Sequence, residues 1–154
     1  MPVELSDEQD DPLESSQLLS LADMVLREER VDFGAMLSIT FVGPEEMSDL
    51  NHRYLGKEGP TDVLSLPIED LEPGKYRSRS KEGPPLLVGD VVICPTVVRA
   101  QADVAAVPFD DEMALMVVHG VLHLLGYDHE EETDAEQMEQ RERELLALAG
   151  QEFR

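Results

Sequence analysis

The stretch HGVLHLLGYDH, from His119 to His129, holds three of the four histidines in the chain. His119 and His123 are four residues apart, so on a helix they lie one turn above the other on the same face. Gly126 can take the left-handed conformation that ends a helix and turns the chain back with His129. Three imidazoles then converge from a helix and the turn after it. That is the donor set of a catalytic zinc site, with a fourth position left for water or substrate.

Outward from this stretch, the only polar side chains between Met113 and Leu125 are His119 and His123. A helix that is apolar on every face is a buried helix. Two imidazoles buried without partners would lose hydrogen bonds at each ring nitrogen, and a shared ion removes that cost. Neutral imidazoles suit zinc, nickel or another first-row ion, whereas magnesium and calcium want carboxylates and carbonyls. Each ring also needs an acceptor for its remaining N–H. Asp128 is adjacent in sequence, but it can equally brace the turn.

The spacing H-x-x-x-H-x-x-G-x-x-H is that of metzincin peptidases, which carry a glutamate directly after the first histidine. Gly120 stands there instead, so the metal cradle is kept and the peptidase base is missing. Peptide hydrolysis is demoted. A metal ion can still activate water for attack on a phosphodiester.

The remaining punctuation predicts an α+β domain. Val3 to Leu5 reads as a short strand before an acidic turn, and Ser15 or Ser16 caps a helix running to about Arg30. Leu18, Leu19, Ala22, Val25 and Leu26 form that helix's inner face. Met36 to Val42 alternates as a strand with Leu37, Ile39 and Phe41 on one side. Pro44 opens a helix ending near Tyr54. Asp62 to Leu66 and Leu86 to Ile93 are β-branched strands, and Pro95 opens a helix to about Val104. The histidine helix begins after Pro108 with Asp110 or Asp111 as its cap. Thr133 and Glu136 have capping-box spacing for a last helix that Gly150 ends. The expectation is a small mixed sheet of four strands with about five helices around it. The zinc site sits on the central buried helix and the following turn. One domain covers residues 1–154, with an acidic segment at 1–15 and a long loop at 69–85.

With 154 residues and a net charge of −22, the chain is no general nucleic-acid binder. The charge is uneven: residues 53–99 balance at seven basic and seven acidic, while both ends are strongly acidic. KYRSRSK, from Lys75 to Lys81, carries four cations; it is either a solvated stretch or an RNA contact. Aromatic residues make up 5%, too few for an extended base-stacking platform. Tyr127 could stack on a base or pack the turn. No apolar run is long enough to span a membrane, and the acidic start lacks a signal-peptide pattern. Cys94 is the only cysteine, which fits a cytoplasmic setting and a buried packing thiol.

GPTDVLSLP (Gly59 to Pro67), VGDVVICP (Val88 to Pro95) and HGVLHLLGYDH, in that order along the chain, resemble the YbeY family of bacterial ribosomal-RNA maturation factors. The likeness runs from about Met36 to Leu146. It implies a single-strand-specific, zinc-dependent endoribonuclease acting in 16S rRNA 3′-end maturation and ribosome quality control. One zinc ion would be held by His119, His123 and His129. The implied partners are single-stranded rRNA and the small ribosomal subunit, with neither DNA nor a membrane. Many members have arginine after the aromatic residue that precedes the Pro-Thr-Asp block, where this chain has Leu55. Arg53 or Lys57 could supply that cation, so Arg53 and Asp62 are the candidate catalytic residues beside the ligands. The competing readings are a metzincin-like metallohydrolase and a non-catalytic ribosome-assembly factor with a bound metal.

Overall fold

In the computed structural model, residues 3–31, 34–74, 76, 86–128 and 130–152 are described. The alternation at Met36–Val42 becomes β2, which lies inside the sheet. Along the chain the elements are β1 (Val3–Glu8), α1 (Ser16–Glu28), β2 (Met36–Val42), α2 (Pro44–Leu55), β3 (Val63–Pro67), β4 (Leu87–Ile93), α3 (Pro95–Ala105), α4 (Phe109–Leu124) and α5 (Glu132–Glu152). The sheet order is β1-β2-β4-β3. β1 and β4 flank β2 in parallel, and β3 runs antiparallel to β4. This is the mixed four-stranded α+β architecture that the sequence pattern implies.

Strand alternation divides the apolar residues between two faces. Leu37, Ile39 and Phe41 join Val91, Ile93 and the buried faces of α1 and α4 in the main core. On the opposite face, Val42, Leu64 and Val92 meet Met47 of α2 and Cys94, so the lone thiol is a packing residue. Burial pushes that thiol's pKa up, keeping it protonated. Asp90 occupies the same side and accepts hydrogen bonds from the hydroxyls of Ser38 (2.8 Å) and Thr40 (3.3 Å).

α4 is the central element, in contact with α1, α3, α5, β3 and β4. Met113, Met116, Val117, Val118, Val121, Leu122 and Leu124 are all buried, as an all-round apolar helix requires. At Gly120 the helix backbone lies against the sheet: a Cβ there would stand 2.5 Å from Val91 Cγ1. Ser65 of β3 donates its hydroxyl to the Gly120 carbonyl at 3.0 Å. The position that carries the peptidase glutamate in metzincins therefore has no room for any side chain. Gly120→Ala, which in an open helix would gain about 1 kcal/mol, is expected here to cost about 1–2 kcal/mol net through overpacking on a stiff β-branched neighbour. Urea unfolding checks this, and an unchanged or higher midpoint would refute the close contact.

Several local expectations are corrected. β1 continues to Glu8 through residues expected to turn, because each pairs in register with β2, from Val3 with Leu37 to Glu8 with Val42. Its acidic side chains can point to solvent while the backbone ladder holds them extended. On α1, Leu21 and Met24 are buried whereas Leu19 is only partly so. Pro108, not Asp110 or Asp111, precedes the first residue of α4. Those two acids and Glu112 instead fill the first turn, where negative charge meets the positive helix end. α5 starts at Glu132, which puts Thr133 inside the helix rather than at its cap, and it runs past Gly150 to Glu152.

Candidate active site

His119 and His123 project from the last two turns of α4 with ring centroids 6.2 Å apart. Each ring is fixed through Nδ1. His119 Nδ1 lies 2.7 Å from Glu142 Oε1 on α5, a bond in which the imidazole N–H donates to the carboxylate. His123 Nδ1 lies 2.7 Å from the backbone carbonyl of Tyr127, the residue after the helix-ending glycine. With the Nδ1 proton committed to an acceptor, Nε2 is the nitrogen each ring can offer to a metal.

The turn that supplies the Tyr127 carbonyl is built by Gly126, whose φ is +104°. Its N–H donates to the His123 carbonyl at 3.1 Å, and the Tyr127 N–H reaches back to the Leu122 carbonyl at 3.1 Å. These bonds close the C-terminal end of α4. Tyr127 itself is buried, and burial together with Glu29 pushes its phenol up to about 12. It packs the turn and does not offer a face for stacking. His129, the third expected ligand, lies outside the described residues. Among the described residues no three His, Cys, Asp or Glu side chains gather closely enough to hold an ion.

Both imidazoles open into a cleft of about 620 Å³. Thr61, Asp62 and Ser65 from the start of β3 line it, with Leu66, Leu115 and Met116 as an apolar wall. Asp62 Oδ1 accepts from the backbone N–H of Val63 (2.7 Å) and the Thr61 hydroxyl (3.2 Å). It thus anchors the start of the strand and borders the cleft at once. Asp128, Glu130 and Glu142 add three more carboxylates. The one Lys or Arg among the described lining residues is Lys57, which follows the Gly56 cap of α2 and stands beside Leu55. Arg53 sits on the exposed side of α2 and is not among those lining residues. His52, also exposed, has its Nδ1 3.4 Å from Glu58 and takes no part in the cleft. Of the basic stretch from Lys75 to Lys81, only Tyr76 is described. A separate cavity of about 400 Å³ between the ends of α1, α4 and α5 shares no lining residue with the histidine cleft.

Glu142 is the site residue that sequence reasoning missed. The need for an acceptor at each imidazole was legible, but Glu142 is 23 residues from His119 and one acid among many on α5. Only the packing of α5 on α4 selects it.

Residues 4–150 match the family model described as endoribonuclease YbeY. A protein from Frankia casuarinae, described as endoribonuclease YbeY, is 45% identical over 85% of this chain and 65% of its own length. One of the same description from Thermobifida fusca is 42% identical over 96% of this chain and 93% of its own. The solution structure of TM1509 from Thermotoga maritima superposes with a TM-score of 0.64 at 25% identity, covering 98% of this chain and 91% of that one. Fold and relatives together define a class, the hydrolytic nucleases that act on RNA. Within it, this chain belongs to the endoribonuclease YbeY family. No helix of the described residues is long and apolar enough to cross a membrane.

Proposed function

We propose that this protein is a zinc-dependent endoribonuclease that cleaves single-stranded RNA. In this reading it serves 3′-end maturation of small-subunit rRNA and ribosome quality control in the cytoplasm. The observation that carries the metal reading is the pair of imidazoles one helical turn apart, each with Nδ1 held by an acceptor. Such outer partners are what keep a ligating histidine in one tautomer and orientation. His119, His123 and His129 would hold the ion, and the neutral nitrogen donors fit zinc. Charge supports the same reading. Four carboxylates and one lysine in the cleft would repel a phosphodiester unless a cation were bound there.

When bound, zinc supplies Lewis-acid polarisation of a phosphate oxygen and acidifies water. The protein's own groups do the rest. Glu142 and the Tyr127 carbonyl hold the rings still. Asp62 fixes Thr61 and the strand start at the cleft floor. Leu66, Leu115 and Met116 keep bulk water from one side. Lys57, which lines the cleft where Arg53 does not, would meet a phosphate of the bound strand.

The reading is tested by incubating the purified protein with single-stranded and duplex rRNA fragments, with and without a chelator. Cleavage confined to single strands and abolished by the chelator is expected. Proteolysis of unfolded substrates with RNA left intact would favour the peptidase-like alternative. Zinc binding and ribosomal-particle binding without cleavage would favour an assembly factor. Terminal analysis of the products separates attack by the neighbouring 2′-hydroxyl, which leaves a cyclic phosphate, from attack by water. In the same assay Lys57→Ala should lower kcat/KM about tenfold, the scale of one charge-assisted hydrogen bond. Lys57→Arg should stay near the unmodified rate and Arg53→Ala within about twofold. A larger loss from Arg53→Ala than from Lys57→Ala would reverse the assignment.

A further inference from the structure

β3 is an outer strand of the sheet, and among the described residues no strand lies along its far edge. Two ladder bonds fix which residues turn that way. The Cys94 N–H donates to the Asp62 carbonyl at 2.9 Å, and the Ile68 N–H donates to the Val88 carbonyl at 3.2 Å. Leu64 stands opposite Val92 and Leu66 opposite Asp90, so in antiparallel alternation these residues share the phase of Asp62 and Ile68 and bond to β4. Val63, Ser65 and Pro67 alternate with them, and their backbone groups face the open edge. That edge belongs to the histidine cleft, which Val63 and Ser65 line together with His119 and His123. The Ser65 hydroxyl, donating to the Gly120 carbonyl at 3.0 Å, ties the strand to α4 at the residue after His119.

The open edge is stopped on both sides of Ser65. The Val63 N–H is taken by Asp62 Oδ1 at 2.7 Å, and Pro67 has no N–H to give. Of these three residues only Ser65 presents a donor and an acceptor side by side, the closely spaced pair of an antiparallel ladder. An added peptide strand needs such pairs at alternate residues in a row, and proline on an edge prevents that. A planar group with one donor next to one acceptor needs a single pair. The Watson–Crick side of every nucleobase is such a group, occupied in a duplex and free in a single strand. Leu66, Leu115 and Met116, the apolar wall of the same cleft, offer the face of a base a surface to lie on.

We infer that the Ser65 backbone reads the Watson–Crick edge of one unpaired base, its N–H donating to an acceptor on the base and its C=O accepting the neighbouring N–H. This rests on the RNA-cleaving reading above and deepens it by assigning the selection of single strands to one position of β3. All four bases carry the required pair, so the contact senses whether a nucleotide is paired and not which nucleotide it is.

The test uses the full-length protein and single-stranded RNA fragments that differ only in one base, uridine methylated at N3 or guanosine methylated at N1. The methyl group blocks the Watson–Crick edge and is walked along the nucleotides flanking the scissile bond. At one position it should lower kcat/KM about tenfold or more, the scale of a paired hydrogen-bond contact to a base. Ser65→Pro removes the outward N–H, which the β4 ladder does not use, and Ser65→Ala, which also lacks the hydroxyl, is its reference. Relative to that reference, Ser65→Pro should lower kcat/KM on unmethylated RNA by a similar factor, and methylation at the sensitive position should then cost it nothing further. Insensitivity at every position, or losses from methylation and Ser65→Pro that multiply, would overturn the inference. Competitive inhibition by a capped alternating threonine–valine pentapeptide, relieved by Ser65→Pro, would assign the edge to a peptide and overturn it as well. Should Ser65→Pro fail to fold, the methylation walk on the unmodified protein decides alone. Failure of the unmodified protein to cleave any single-stranded RNA would instead overturn the proposed function, and this inference with it.

Discussion

His123→Ala is expected to reduce cleavage of single-stranded RNA by about a thousandfold or more, with the loss falling on kcat. A metal's stabilisation of transition-state charge amounts to several kcal/mol, and about 4 kcal/mol corresponds to about three orders of magnitude in rate. The substitution removes a proposed ligand and also leaves the Tyr127 carbonyl without the ring it accepts from. Added zinc should restore little, because the other ligands alone cannot close the site. His52→Ala is the matched control, since His52 is exposed on α2 and outside the cleft. Equal cleavage by His123→Ala and the unmodified protein would mean that a contaminating nuclease does the cutting, and the proposed function would fall.

Gly126→Ala should produce the largest stability loss of any single methyl addition near the site. Its φ of +104° is one that side-chain-bearing residues rarely adopt, and a Cβ there would collide with the Leu71 carbonyl and the backbone at Glu72. A left-handed conformation costs an L-residue about 1–2 kcal/mol, and overpacking adds about 1–3 kcal/mol. Backbone cannot rotate aside as a side-chain end can. For a chain of this size the total corresponds to a fall of about 10 °C in Tm. Because Gly126 lies between His123 and the carbonyl that orients it, zinc affinity should fall alongside stability. Thermal unfolding and metal competition on one preparation check both. A Tm within about 2 °C of the unmodified protein would show that the 71–72 segment does not press on this turn.

Much of the fold was legible from local chemistry. Met36–Val42 alternates with period two, Pro44 and Pro95 mark helix starts, and the residues from Met113 to Leu125 can only be a buried helix. The pairing of β1 with β2 was less so. Asp7 and Glu8 have poor strand preference, and only the parallel ladder beside Phe41 and Val42 keeps them extended. Helix caps failed for a related reason. Asp110, Asp111 and Thr133 are good capping residues by type, yet tertiary packing starts each helix a residue or more earlier.

At the site, the spacing of His119 and His123, the glycine that turns the chain and the block around Asp62 were all set by chemistry within a few residues. Sequence alone thus determined the central helix, the paired imidazoles on one of its faces and the absence of a peptidase base. What holds the His119 ring came from elsewhere, Glu142 of α5, as did Lys57, which follows α2 and lines the same cleft. These groups are charged residues among many others, and no local pattern distinguishes them. A periodic apolar run specifies a helix because its neighbours are covalently placed. Hydrogen bonds between distant segments exist only after burial of apolar surface has brought their helices together. The tertiary structure therefore decided which of many carboxylates steady the site, and which cation faces the cleft.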